Sequence, residues 1–211
     1  ITPAKGSSVK KEVRFVPFGH QDKLPVRIMK KIADNTIVGS NIEFKANMAY
    51  GDGLMVCRRV KNPETQKIEL EELTPEEAPE IFQFISDSNY LRVMSELAND
   101  LVVFSDSFVY LAFGKRKAGE KPKVVQIWHR EMCFSRISEQ DEKTKRIEYH
   151  GYSSQWGEES FPDDVIVTRL LDRRSPLYDL KVRTGLVPDP ETGEKKDEEE
   201  NGYTLRLNMP V

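Results

Sequence analysis

The sequence predicts an α+β fold in which an antiparallel sheet carries several packed helices. Three observations lead there. Apolar residues recur at helical spacing only before about residue 104, as in Ile28, Met29, Ile32 and Ala33, or in Leu91, Met94, Leu97, Ala98, Leu101 and Val102. From Phe108 onward that period stops, and short runs of aromatic and branched residues alternate with polar turns. The order is therefore helices, hairpin, helices and then strands, without the regular strand–helix alternation of a parallel sheet.

Each element has a local reason. Residues 1–12 are polar and aperiodic and read as a flexible N-terminal arm, leaving 13–211 as a single domain. Val13 to His20 reads as an extended segment closed by a turn. Pro25 suits the first turn of a helix, which Asp34-Asn35 interrupts. A second helix is expected from about Val38 to Tyr50, with Ile42, Ala46 and Ala49 on one face and Gly51-Asp52-Gly53 as its C-cap. Leu54–Val60 and Lys67–Leu73 form a hairpin around Asn62-Pro63-Glu64-Thr65. Thr74-Pro75-Glu76-Glu77 is a capping box that should start a helix, with Pro79 able to kink or delay it. A further helix spans about Asn89 to Phe104. Strands follow at Phe108–Phe113, Lys123–Trp128, Met132–Ile137, Lys145–Tyr152, Val165–Leu171 and Tyr203–Leu207, with an acidic surface loop near 186–201.

Composition narrows the function. The chain has 211 residues, 32 Lys+Arg against 35 Asp+Glu and a net charge of -3. Charged residues make up 32%, above the average of about 25%. A balanced charge argues against a dedicated nucleic-acid binder, which needs clustered cations to release counterions. The longest apolar run, Phe108 to Phe113, is far short of the about 20 residues of a membrane span. Two cysteines and no Asn-x-Ser/Thr sequon suit a reducing interior. An Ile1 start without methionine is expected of a piece of something longer.

Catalytic signatures are sparse. His129 and Cys133 stand four apart, but on strand ends that spacing separates them by about 13 Å. Gly51-Asp52-Gly53 ends a helix, so no helix dipole is aimed at a phosphate there. No Gly-x-Ser-x-Gly nucleophile elbow occurs. Asp163-Asp164 reads as a polar turn, and Tyr149, Tyr152 and Trp156 as a loop packed on the sheet or a protein contact. The expectation is no enzyme, no cofactor and no metal. Two basic stretches remain. Lys115, Arg116, Lys117, Lys121 and Lys123 form a hairpin tip, and Arg173 and Arg174 belong to an arginine-rich run with Arg169 and Arg183. Each reads as a solvated face or as an interface or phosphate contact.

Three segments, in order, resemble the N-terminal half of tailed-bacteriophage portal proteins, the head–tail connector. The first runs through Phe15-Val16-Pro17-Phe18-Gly19, Leu24-Pro25, Asn35-Thr36 and Tyr50-Gly51-Asp52-Gly53-Leu54. The second is Leu97 to Lys115, a helix feeding an aromatic strand, followed by strands like Val124–Trp128 and Met132–Ile137. The third is Phe161-Pro162-Asp163-Asp164-Val165-Ile166, with Asp172 to Asp179 resembling a "-P-L-Y-G-" turn beyond it. The resemblance covers residues 13–180. It departs at Thr168-Arg169, where His-Arg is common, and at Asp179, where Gly is frequent; the hairpin 54–73 and the loop 186–201 have no counterpart. It implies the wing-like part of a virion structural protein, assembled in the host cytoplasm as a homo-oligomeric ring at one capsid vertex. The implied partners are other portal subunits, terminase, capsid and neck proteins, and double-stranded DNA in transient passage; no membrane is involved. The alternative is a non-viral α+β protein-interaction (adaptor) domain without catalysis.

The expected core comprises Ile28, Ile32, Ile42, Phe82, Ile85, Leu91, Met94, Leu97, Leu101, Phe108, Tyr110, Ile127, Val165 and Val167. No apolar stripe is left over once these are used. The chain is therefore expected to be a monomer or weakly self-associating, and to bind duplex DNA poorly at physiological salt. The Lys115–Lys123 tip and the Glu191–Glu200 region are possible opposite-charge partners in a ring.

Overall fold

Helix α1 (Leu24–Ala33) carries Pro25 in its first turn, where a missing N–H leaves no bond unmade. The computed structural model describes residues 13–51, 53–63, 65–114, 120, 123–142, 144–157, 162–190, 192–195 and 202–208; the expected arm 1–12 lies outside them. Helix α2 (Thr36–Tyr50) is capped by Asn35, whose Oδ1 accepts the Val38 N–H at 3.2 Å. It stops at Gly51, where φ is +65°. Strands β1 (Cys57–Lys61) and β2 (Ile68–Glu72) form the expected hairpin. The Thr74 capping box is made in part, since the Thr74 N–H reaches Glu77 Oε2 at 3.0 Å. It heads only a turn. Helix α3 (Pro79–Asp87) begins later, because Pro79 inside a helix starting at 75 would lack its N–H and clash with the preceding turn.

Helix α4 (Tyr90–Phe104) is entered and left through left-handed residues, Asn89 and Ser105. Its buried face runs through Val93, Leu97 and Asp100. Leu91, expected in the core, is 54% exposed. The inward stripe contains an aspartate, so apolar spacing alone points to a helix rotated toward Leu91.

After α4 the described residues form two three-stranded antiparallel sheets. One has the order β4 (Val124–Arg130), β3 (Asp106–Phe113), β8 (Gly202–Asn208); the other runs β5 (Ser135–Ile137), β6 (Tyr149–Tyr152), β7 (Ile166–Arg169). Together with the β1–β2 hairpin they make a mixed α+β fold, as expected. Met132–Phe134 is a 3-10 turn rather than strand, and a helix, α5 (Pro176–Arg183), stands where a turn was expected.

Strand β3 separates two cores by its two-residue period. Val109 and Leu111 pack with Val93, Leu97 and Ile127 under α4. Phe108 points the other way, into a cluster with Met132, Ile137 and Leu170. The β3–β4 ladder is regular from Phe108↔Arg130 to Ala112↔Gln126, then slips so that Phe113 faces Val124. Past this bulge Val124 packs inward while Val125 is exposed.

Of the expected core, Leu97, Phe108, Ile127 and Val165 are buried and the other members, Leu91 apart, half-buried. Val93, Val109, Met132, Trp156, Leu170 and Tyr203 are buried without having been expected. So is Arg136, whose side chain is 0% exposed. It ties the N-terminal segment to the second sheet through Asp22 at 2.7 Å, while the Val16 N–H bonds the Ile137 carbonyl at 2.9 Å.

Candidate functional site

The described members of the basic residues singled out from the sequence do not form one patch. Lys115, Arg116, Lys117 and Lys121 lie outside the described residues. Lys123 is exposed at the far end of β3, where its carbonyl accepts the Gly114 N–H at 3.0 Å. Arg173 and Arg174 are exposed in the turn before α5. Arg173 Nη1 donates to Asn208 Oδ1 at 3.3 Å, and Asn208 pairs with Asp106, the first residue of β3. The length of β3, about 23 Å at 3.3 Å per residue, keeps Lys123 and Arg173 apart. Arg169 lies over the Tyr149 ring, and Arg183 is bonded to Asp179 at 3.0 Å. Of the acidic partners imagined for the basic tip, Glu191 and residues 196–200 also fall outside the description.

The titratable groups near His129 hold layers together. His129 Nε2 lies 2.7 Å from Asp100 Oδ2, and Glu96 Oε2 is 3.5 Å from Nδ1. The same Asp100 oxygen accepts the Met132 N–H at 3.0 Å, fastening α4 to the turn after β4. Burial pushes the neighbouring Cys133 thiol up to about 11, so it is protonated at neutral pH. Among the described residues, no three His, Cys, Asp or Glu side chains are grouped to hold a metal ion. Asp164 accepts from the Ser153 hydroxyl in the turn before β7. Trp156 is buried with its Nε1–H on the Phe134 carbonyl at 2.8 Å, so it packs on the sheet as anticipated.

The surface feature that stands out is apolar. Helix α2 turns Ala46 inward against α4, yet its opposite side shows Ile37, Phe44 and Met48, exposed by 77%, 63% and 68%. These recur at i, i+7 and i+11, one stripe of a helix. The β1–β2 hairpin adds Ile68 and Leu70, neighbours on one face of β2 with 68% and 71% exposure. An unsupported two-stranded ribbon is marginal in water. The expectation that no apolar stripe is left over is therefore corrected. Helix α2 is apolar on two sides, with Ala46 on the inner one and Ile37, Phe44 and Met48 on the outer. The outer stripe was legible in the same fifteen residues.

Comparison with family models, with curated proteins and with solved structures finds no match for the chain.

Proposed function

We propose that this chain is the wing-like part of a portal subunit, a structural component of the ring through which DNA enters and leaves a tailed-phage capsid. The observation that carries the reading is the uncovered apolar surface on α2 and the β1–β2 hairpin. A ring needs two different faces on each subunit, and these two elements offer apolar contact on separate parts of the chain. The resemblance over residues 13–180 supplies the identity of the ring, and the hairpin 54–73 is an addition without counterpart in it. Terminase, capsid and neck proteins are the partners proposed for the assembled ring, with DNA passing transiently rather than being gripped. The virion is the proposed location. The role is mechanical, with no catalysis.

The test is concentration-dependent light scattering of the chain beside Phe44→Glu and Ile68→Glu. At 63% exposure, a phenylalanine of about 200 Å² leaves roughly 125 Å² open. Covering that area is worth at most about 3 kcal/mol, or roughly 150-fold in association. Self-association that both substitutions weaken supports the ring. A chain monomeric at all concentrations, with the same surface covered by a different protein, favours the adaptor domain instead.

A further inference from the structure

The face of β3 and β4 turned away from α4 carries a stack that the assembly reading does not use. Tyr110 and Trp128 are register partners whose rings lie 5.6 Å apart and 2° from parallel. Arg130 follows two residues on, on the same face. Its guanidinium carbon is 5.1 Å from the Tyr110 ring centre and 4.6 Å from that of Tyr152, which belongs to the other sheet. Tyr152 continues the stack onto His150 at 6.4 Å.

Arg130 is half-buried, and burial pulls its pKa below the ordinary arginine value. Among the described residues it has neither a carboxylate at ion-pair distance nor an acceptor for its guanidinium. The Trp128 indole N–H and the Tyr152 hydroxyl likewise have no hydrogen-bond partner there. His150 does not help. Burial and the Arg130 charge push its pKa down to about 3, so it is neutral, and its Nε2 is buried without a partner.

Aromatic faces compensate a guanidinium only through its own faces. Its five N–H donors radiate in the plane and are left to be met at the edge. A planar carboxylate can lie in the guanidinium plane and meet the N–H fork with two parallel bonds, whereas a tetrahedral oxyanion carries oxygens above and below that plane. We propose that Arg130 is the receptor for a carboxylate that enters edge-on between Tyr110 and Tyr152. The carboxylate comes either from a small organic acid or from an Asp or Glu of a second copy of this chain. The proposal stands apart from the assembly reading and does not need it.

The experiment follows the Trp128 indole N–H by NMR, assigned with Trp128→Phe, in chloride buffer at constant ionic strength. Titration with acetate should shift that signal along a saturating curve in the millimolar range. Inorganic phosphate should give only a small linear drift. Arg130→Lys keeps the charge but loses the planar fork, and should abolish the saturation. If acetate is silent but the same signal moves as protein concentration rises, and Arg130→Lys removes that movement, the carboxylate belongs to a second copy. Saturation by phosphate equal to that by acetate would overturn the proposal. So would no saturable response to acetate or to protein concentration, with Arg130→Met unfolding several degrees below the parent chain, since Arg130 would then be an internal brace.

Discussion

Replacing Arg136 by methionine removes a fully buried cation while keeping most of its stem. In the native chain Nε donates to Asp22 Oδ1 and Nη2 to the Asp22 carbonyl, both at 2.7 Å. Nη1 reaches the carbonyls of Ser135 at 2.7 Å and Cys133 at 3.3 Å. The guanidinium also lies 5.0 Å from the Phe18 ring and 5.5 Å from that of Trp156. Asp22 and its neighbour Gln21 sit at φ of 53° and 55°, a left-handed conformation costing about 1 kcal/mol or more per residue. Arg136 thus pins Asp22 in that turn, beside the Phe18 N–H on Asp22 Oδ1 and the Asp22 N–H on the Gly19 carbonyl. Taking one member from a buried pair costs about 3–5 kcal/mol, because the other is left desolvated. At about 2–4 °C per kcal/mol for a chain of this size, Tm should fall by roughly 6–20 °C. Thermal and urea unfolding followed by circular dichroism measure this. The double variant with Asp22→Asn should lose less than the two single losses combined, by about 1 kcal/mol or more. An Arg136→Met chain within about 1 kcal/mol of the parent would refute the reasoning.

His150 should make stability pH-dependent. Its folded pKa of about 3 lies below the unfolded value of 6.5, so only the unfolded chain gains a proton between them. Stability is full above pH 6.5 and falls by up to about 1.4 kcal/mol per unit on acidification toward 3; urea midpoints from pH 7 to 4 should show this slope, and His150→Gln should flatten it. Gly151→Ala would place a Cβ 2.7 Å from the Phe15 ring and 3.1 Å from that of Trp156. Because those atoms belong to large packed rings, a loss of about 1–3 kcal/mol is expected in the same denaturation assay. Leu97→Ala should cost about 2–5 kcal/mol, and Leu91→Ala less than about 1 kcal/mol. Equal losses would return the helix to the register that its apolar spacing suggests.

Much of the architecture was legible because the signals were local. Asn35, Gly51 and the Asn62 turn mark the ends of elements by hydrogen bonds and φ values made within a few residues. The unbroken apolar run of β3 was equally plain, but not that both its faces are covered, with Phe108 and Val109 entering different cores. What escaped is what depends on distant partners. Asp100 lies inward only because His129 and the Met132 N–H receive it, 29 and 32 residues away. Arg136 is buried only because Asp22, 114 residues distant, meets it. Arg130 and Tyr152 meet across two sheets, which no periodicity in either strand announces. The basic residues drew attention as sequence clusters, but β3 sets Lys123 and Arg173 at its opposite ends.

The slip between Ala112 and Phe113 bears on how this chain can change length. Val125 is surplus to the ladder, and Gly114 leaves room for it, since a Cβ there would meet Val125 Cγ1 at 2.9 Å. Deleting Val125 would close the ladder while leaving Val124 on the inward side. A one-residue deletion further along β4 could close the same bulge only by moving every residue between the cut and Val125 to the opposite face; loss of His129, for example, would turn Ile127 out of the α4 core and Trp128 into it. Insertions and deletions should therefore accumulate on the Val125 side of Gln126 and be purged on the other.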